Sequence, residues 1–242
     1  MATVHLLRRS RSDTTVLLLY CLSGFVSLGY QVAWFGICVE RFGSTNLTFA
    51  LVLCNFIAGL GTGALASRHV AWRIGGWLRT SDRLRIYGAV ELLVTASILL
   101  TIASGHVPAD VWGTFPYRSS GGIFEPTAAY QWSKLALATV CIFVPCFFMG
   151  VTFPLICDAF GGQKAGSRFP ATLYGWNTLG ACLGVLVCQF ILLPRAGHGG
   201  TLWLMAGFNL VIGAIFFVAG GDPSAVAVQD RGADAGEWRK SA

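Results

Sequence analysis

At 242 residues, 55% of them hydrophobic and only 12% charged, and with a mean hydropathy of +0.64, the chain is too apolar for a water-soluble domain of its size. The net charge of +6 would ordinarily suggest nucleic acid, but no basic stripe with interleaved aromatics accompanies it, and nucleic-acid binding is excluded on that ground. The excess reads instead as topological charge facing anionic membrane lipid.

Six apolar runs divide the sequence, at 14–38, 46–67, 87–104, 135–156, 171–193 and 202–219. Each is near the length of about 20 residues that crosses a hydrocarbon core of about 30 Å as a helix. The basic residues test this segmentation independently. With the N-terminus inside, Arg8, Arg9, Arg11, Arg68, Arg73, Arg79, Arg83, Arg85, Lys164, Arg168, Arg231, Arg239 and Lys240 fall on inner segments, and only Arg41, Arg118, Lys134 and Arg195 on outer ones. That asymmetry follows the positive-inside rule. The fold class expected is therefore all-α integral membrane, with six transmembrane helices and both termini cytoplasmic.

Residues 1–13 form a basic cytoplasmic N-terminus resembling the n-region of a signal peptide. The apolar run that follows is longer than an h-region and carries no A-x-A site, so it is expected to stay as the first span. Gln31 lies within that span, and Glu40 and Arg41 close it on the outer side, where they are expected to pair. The second span carries Asn55 and the glycines Gly59, Gly61 and Gly63 in "AGLGTGALAS". Small residues at this spacing mark helix–helix faces, because lipid supplies no hydrophobic drive for association. "GLGTGA" imitates a dinucleotide-binding loop, but it follows no strand and sits in mid-membrane, so the match is coincidental.

The third span opens "LRIYGAVELLVTAS" and places Glu91 about one and a half turns inside. An intramembrane carboxylate is costly unless paired or wetted, which makes it a candidate substrate site or counter-ion. The bland alternative is that it reaches water or an arginine of the 68–85 loop. The outer loop at 105–133 spreads Trp112, Phe115, Tyr117, Phe124, Tyr130 and Trp132 among prolines and glycines. It reads as a lid along the outer leaflet or as a docking surface for a partner. Asp158 closes the fourth span at the inner boundary. The fifth carries Asn177 and another G-x-x-x-G, Gly180 with Gly184. Gln31, Asn55 and Asn177 read first as interhelical hydrogen-bond formers and second as substrate ligands. The tail at 220–242 is small, polar and expected to be flexible.

The eight cysteines lie within or at the ends of the apolar runs with no C-x-x-C and no clustered histidines. They read as buried apolar residues, and no metal site or cofactor is expected. No catalytic residue is assigned.

Taken together, "SGFVSLGYQVAWFGICVERFGS" at 23–44, "FIAGLGTGALAS" at 56–67, "IYGAVELL" at 86–93, "FFMGVTFPLICDAF" at 147–160 and "LYGWNTLGACLGVLVCQFILLPRAG" at 173–197 resemble the membrane half of fused MFS/spermidine-synthase-like proteins. The fifth span is the most specific part, with Tyr174, Asn177, Thr178, Gly180 and Gly184 preceding Leu193, Pro194 and Gly197. The resemblance implies an MFS-like half-bundle, followed in that family by a cytoplasmic domain that looks like an aminopropyltransferase. The chain departs from the family at Gln31 and Gly36, where a Glu and an Arg are usual, and in an inner loop, "SRHVAWRIGG", that lacks the aspartate of the MFS loop motif. About 22 residues follow the sixth span, too few for a Rossmann-like domain.

The leading functional expectation is a non-catalytic subunit or scaffold of a bacterial inner membrane, packing against other membrane protein subunits or a second copy of itself. One alternative is a half-transporter or channelling module for a small cationic solute such as a polyamine, with Glu91 as counter-ion. The other is a membrane anchor for an aminopropyltransferase whose active site is on another chain.

Overall fold

The computed structural model describes residues 2–44, 46–104, 117–120, 123–126, 138–161 and 168–220, with residues 132, 135 and 136. Helices dominate them: α1 (Ala2–Phe42), α2 (Asn46–Leu78), α3 (Arg83–Ser104), α4 (Val144–Gly161), α5 (Phe169–Val187) and α6 (Leu193–Ala219). Five helical stretches are long and apolar enough to cross a membrane, at Thr14–Glu40, Asn46–Leu78, Arg83–Ala103, Thr139–Ala159 and Phe169–Ala219. The protein is thus a helical integral membrane protein. A small antiparallel hairpin, β1 (Tyr117–Ser120) with β2 (Ile123–Pro126), pairs Tyr117 with Pro126 and Ser120 with Ile123 between α3 and α4. The rest of the 105–133 loop except residue 132, residues 1, 45, 134, 137 and 162–167 and the tail beyond Gly220 lie outside the described residues.

Local chemistry sets the helix ends. Gly43, at a φ of 82°, adopts the left-handed conformation that closes α1. Its N–H bonds Val39 O at 2.9 Å, and its carbonyl accepts from Thr48 Oγ1 of α2 at 2.9 Å. α2 runs well past its apolar run, so the basic "SRHVAWRIGG" segment is helical and the connection to α3 is short. The reversal turns on Arg79, at a φ of 52°, with Thr80 N bonded to Gly75 O at 2.9 Å. Asp82 then caps α3, its Oδ1 accepting from Leu84 N at 3.0 Å.

The last apolar stretch is 51 residues long. As one straight helix it would extend about 75 Å, more than twice a hydrocarbon core. It folds back. A π-turn, Cys188–Leu192, joins α5 to α6, and Gly197 breaks the helix with φ 65° and ψ −178°. That φ is open to glycine and disfavoured for other residues. Before the break, Gly180 packs on Cys21, Gly184 on Phe25 and Cys188 against Gly29, so α5 runs parallel to α1. After it, Met205 lies at Gly29, Gly213 at Glu91 and Gly220 at Arg85, so α6 returns antiparallel to both α1 and α3.

Glycines bring the helices close elsewhere too. A Cβ on Gly59 would lie 2.6 Å from Cys146 Cβ, and one on Gly63 would strike the main chain of Phe147. This locks α2 parallel to α4. Thr101 Oγ1 of α3 donates to Cys141 O, in the π-helical stretch Thr139–Phe143 that leads into α4, at 3.3 Å. The core comprises Val26, Tyr30, Val90, Val94, Ile98, Ile142, Val151, Leu173 and Ile212, among others. Among the described residues, which include all eight cysteines, no disulfide forms.

Candidate functional site

Glu91 sits where α1, α3 and α6 meet and is 1% exposed. The sequence builds its surroundings from two directions. Along α3, Tyr87 and Thr95 flank it at four-residue spacings, which puts all three on one helix face. Across the bundle, Gly88 and Gly213 let α3 and α6 approach until a Cβ on Gly213 would lie 3.1 Å from Glu91 Cβ. That closeness brings the Asn209 amide into reach.

The polar contacts are specific. Glu91 Oε1 accepts from Tyr87 OH at 2.6 Å and from Ser23 Oγ, on α1, at 3.1 Å. The main-chain carbonyl of Glu91 accepts from Asn209 Nδ2 at 2.8 Å and Thr95 Oγ1 at 3.1 Å, and Asn209 also donates to Thr95 Oγ1 at 3.1 Å. Three helices are thereby tied by one acid and its peptide group. Aromatic rings wall the site. Tyr87 meets Phe216 edge-on with centroids 4.6 Å apart, and Tyr20 lies 6.5 Å from Tyr87 and 6.3 Å from Phe153.

Among the described residues no lysine, arginine or histidine pairs with Glu91. The nearest basic residue on α3, Arg85, lies over the Phe217 ring at 4.9 Å instead. The alternative in which Glu91 escapes to water or to the 68–85 arginines therefore does not describe this structure. The acid is buried one and a half turns too deep, and the arginine has gone to α6.

Besides Arg85 Nε, two further polar atoms are buried with no hydrogen-bond partner among the described residues: Tyr30 OH and Trp34 Nε1. Their rings stack at 5.5 Å. Counted from Ser23, Tyr30 and Trp34 stand two and three turns along the same face of α1. Glu91 lies within electrostatic reach of the Tyr30 hydroxyl.

The other sequence candidates are scattered. Asn177 Nδ2, on α5, donates to Tyr20 O of α1 at 3.1 Å, an interhelical bond. Asn55 departs from the interhelical expectation: it is buried, but its amide bonds Leu51 O in its own helix at 2.8 Å. The carbonyl four residues back is the acceptor its short side chain reaches first. Gln31 is half-buried and makes no hydrogen bond among the described residues. Gly59 and Gly63 pack on α4, and Gly180 and Gly184 on α1, whereas a Cβ on Gly61 would meet nothing within 4 Å. Gly61 is a correction to the packing set, because it lies two residues, or about 200° of helix, from either neighbour. Glu40 pairs with His198 Nδ1 at 2.7 Å; the expected pair with Arg41 falls on a side chain outside the described residues. The imidazole occupies the space beside Gly36 that a side chain there would fill.

Ser23, Tyr87, Thr95, Asn209, Tyr30 and Trp34 were not singled out from sequence. Tyr87 and Thr95 carried a signal, their spacing from Glu91, and Asn209 stands alone as an amide in the sixth run. Ser23 and the two aromatic residues carried none. Among the described residues, no cluster of three or more His, Cys, Asp or Glu could hold a metal ion. No family model, no curated protein and no solved structure matches the chain.

Proposed function

We propose that the protein is a six-crossing membrane subunit of an MFS-like half-bundle kind, with both termini cytoplasmic, that works by packing against another membrane protein or a second copy of itself. The observation carrying this reading is Gln189. It lies in the π-turn after α5, on the exposed side, beside the exposed Leu186, Phe190 and Ile191. Because Cys188 is level with Gly29, Gln189 stands about 15 Å below Glu40 along α1, inside the hydrocarbon. Two exposed threonines of the spans are satisfied internally: Thr62 bonds Ala58 O at 2.7 Å and Thr178 bonds Tyr174 O at 2.9 Å. Gln189 has no hydrogen-bond partner among the described residues, and an amide facing lipid is costly unless another helix supplies one. The resemblance to the membrane half of fused MFS/spermidine-synthase-like proteins, and the bacterial inner membrane it suggests, belong to the same proposal.

A photo-crosslinking residue at Leu186 should capture a membrane partner in native cells. The same residue at Leu65, 88% exposed on α2, should capture none, and Gln189→Leu should weaken the Leu186 adduct several-fold. Equal capture at both positions, or none, would contradict the reading.

A second reading is favoured by Glu91: a half-transporter or channelling module for a small cationic solute, with the buried carboxylate as counter-ion. Solute uptake in proteoliposomes that is unchanged by Glu91→Gln would remove its support.

A further inference from the structure

The interior of the bundle holds three unmet needs in one column. Glu91 is a buried acid whose Oε1 accepts from Tyr87 and Ser23, with the Asn209 amide also beside its carboxyl, and no described lysine, arginine or histidine pairs with it. Farther along the same face of α1, Tyr30 OH and Trp34 Nε1 are donors with no acceptor, in residues 0% and 2% exposed. A buried donor without a partner costs as much as a lost hydrogen bond. Two such donors stand on adjacent turns of α1, their rings stacked at 5.5 Å. The acid asks for a cation, and the aromatic pair asks for an oxygen.

We infer that this column, between Glu91 and the Tyr30–Trp34 pair, binds a small protonated primary amine that also carries an oxygen acceptor, an ω-amino alcohol being the simplest such compound. The ammonium group sits at Glu91, whose carboxylate supplies the charge pairing. The oxygen accepts from Trp34 Nε1 and the Tyr30 hydroxyl. Two turns of α1, about 10 Å, separate Ser23 from Tyr30, so the two groups of the ligand lie a few bonds apart. This chemistry discriminates. Every nitrogen of a polyamine is a protonated donor and offers Trp34 nothing, so a diamine meets only the Glu91 end. The inference rests on reading Glu91 as a counter-ion and does not require that anything be carried across the membrane.

The test is equilibrium binding to the full chain in lipid nanodiscs, followed by calorimetry, with a series of ω-amino alcohols of two to six carbons as the probes. 1,4-Diaminobutane, n-pentylamine and 1,4-butanediol serve as comparisons. One amino alcohol of the series should bind best, pentylamine and diaminobutane about 3–10-fold more weakly, and butanediol not at all, since one hydrogen bond is worth about that factor. Trp34→Phe, which keeps the stacked ring, should shrink the advantage of the amino alcohol over pentylamine to that of the remaining Tyr30 bond, the double variant Tyr30→Phe with Trp34→Phe should remove it, and both should leave pentylamine itself unchanged. Glu91→Gln should weaken every amine at least 10-fold. Monodisperse elution of each variant separates loss of binding from loss of fold. If no amino alcohol binds the wild-type chain, or if Trp34→Phe weakens pentylamine and amino alcohol equally, the assignment is wrong. Binding without uptake would retain the site and remove the transport reading alone.

Discussion

Asn209 shows how much a single amide holds together. Its Nδ2 donates to both Glu91 O and Thr95 Oγ1 while 2% exposed, and it is the only described polar tie from α6 to the Glu91 peptide group. Replacing Asn209 with Ala leaves that carbonyl to Thr95 and removes the tie between α6 and α3. A loss of about 1–3 kcal/mol is expected, read as a lowered unfolding midpoint in detergent, whereas Gln31→Ala, with no described hydrogen bond to lose, should leave the midpoint unchanged. At this scale the sequence told part of the story. An acid inside an apolar run is visible without any structure, because its cost is set by its depth alone. Its partners are not, since Ser23 and Asn209 stand 68 and 118 residues away and only the packing of three helices brings them to it.

Helix pairs carry the next level of the account. Parallel α1 and α5 meet at Gly180 and Gly184, where an added Cβ would strike the main-chain carbonyls of Cys21 and Phe25. Backbone on both sides cannot move aside, so Gly180→Val should force the pair apart. The expected outcome is a sharp fall in recovered, monodisperse protein. On α2, Gly63→Val should do the same through Phe147, but Gly61→Val, with nothing within 4 Å, should be recovered at the wild-type level. The contrast between two glycines two residues apart separates packing from composition, and fluorescence-detected size exclusion reads it directly. Glycine spacing in the sequence pointed to faces of this kind without saying which glycine of the 59–63 cluster faced outward or which helix each face meets. Hydropathy likewise located the spans but not the helix ends. α2 continues to Leu78, carrying the exposed Trp72 and Trp77 beside Arg68 and Arg73. Such aromatic and basic residues suit the membrane–water interface, where a helix can extend without being apolar.

Over the whole molecule, the reversal at Gly197 decides the topology. With α5 parallel to α1 and α6 antiparallel to it, the chain after the break returns to the end of the bundle where α3 begins, and Gly220 packs against Arg85 and Asp82. The proposed six-crossing topology needs such a reversal between the fifth and sixth apolar runs. A reporter fused after Ala242 should accordingly be active only in the cytoplasm, and activity on the opposite side would break the six-crossing topology.

Gln189 is turned outward with no hydrogen-bond partner among the described residues, and this underlies the claim that the protein is a subunit. Native mass spectrometry of the protein released from its own membrane without detergent exchange tests that claim most directly. The account predicts a complex heavier than the 25.9 kDa chain that collapses toward the single chain in Gln189→Leu. A wild-type protein found only at the single-chain mass would contradict it.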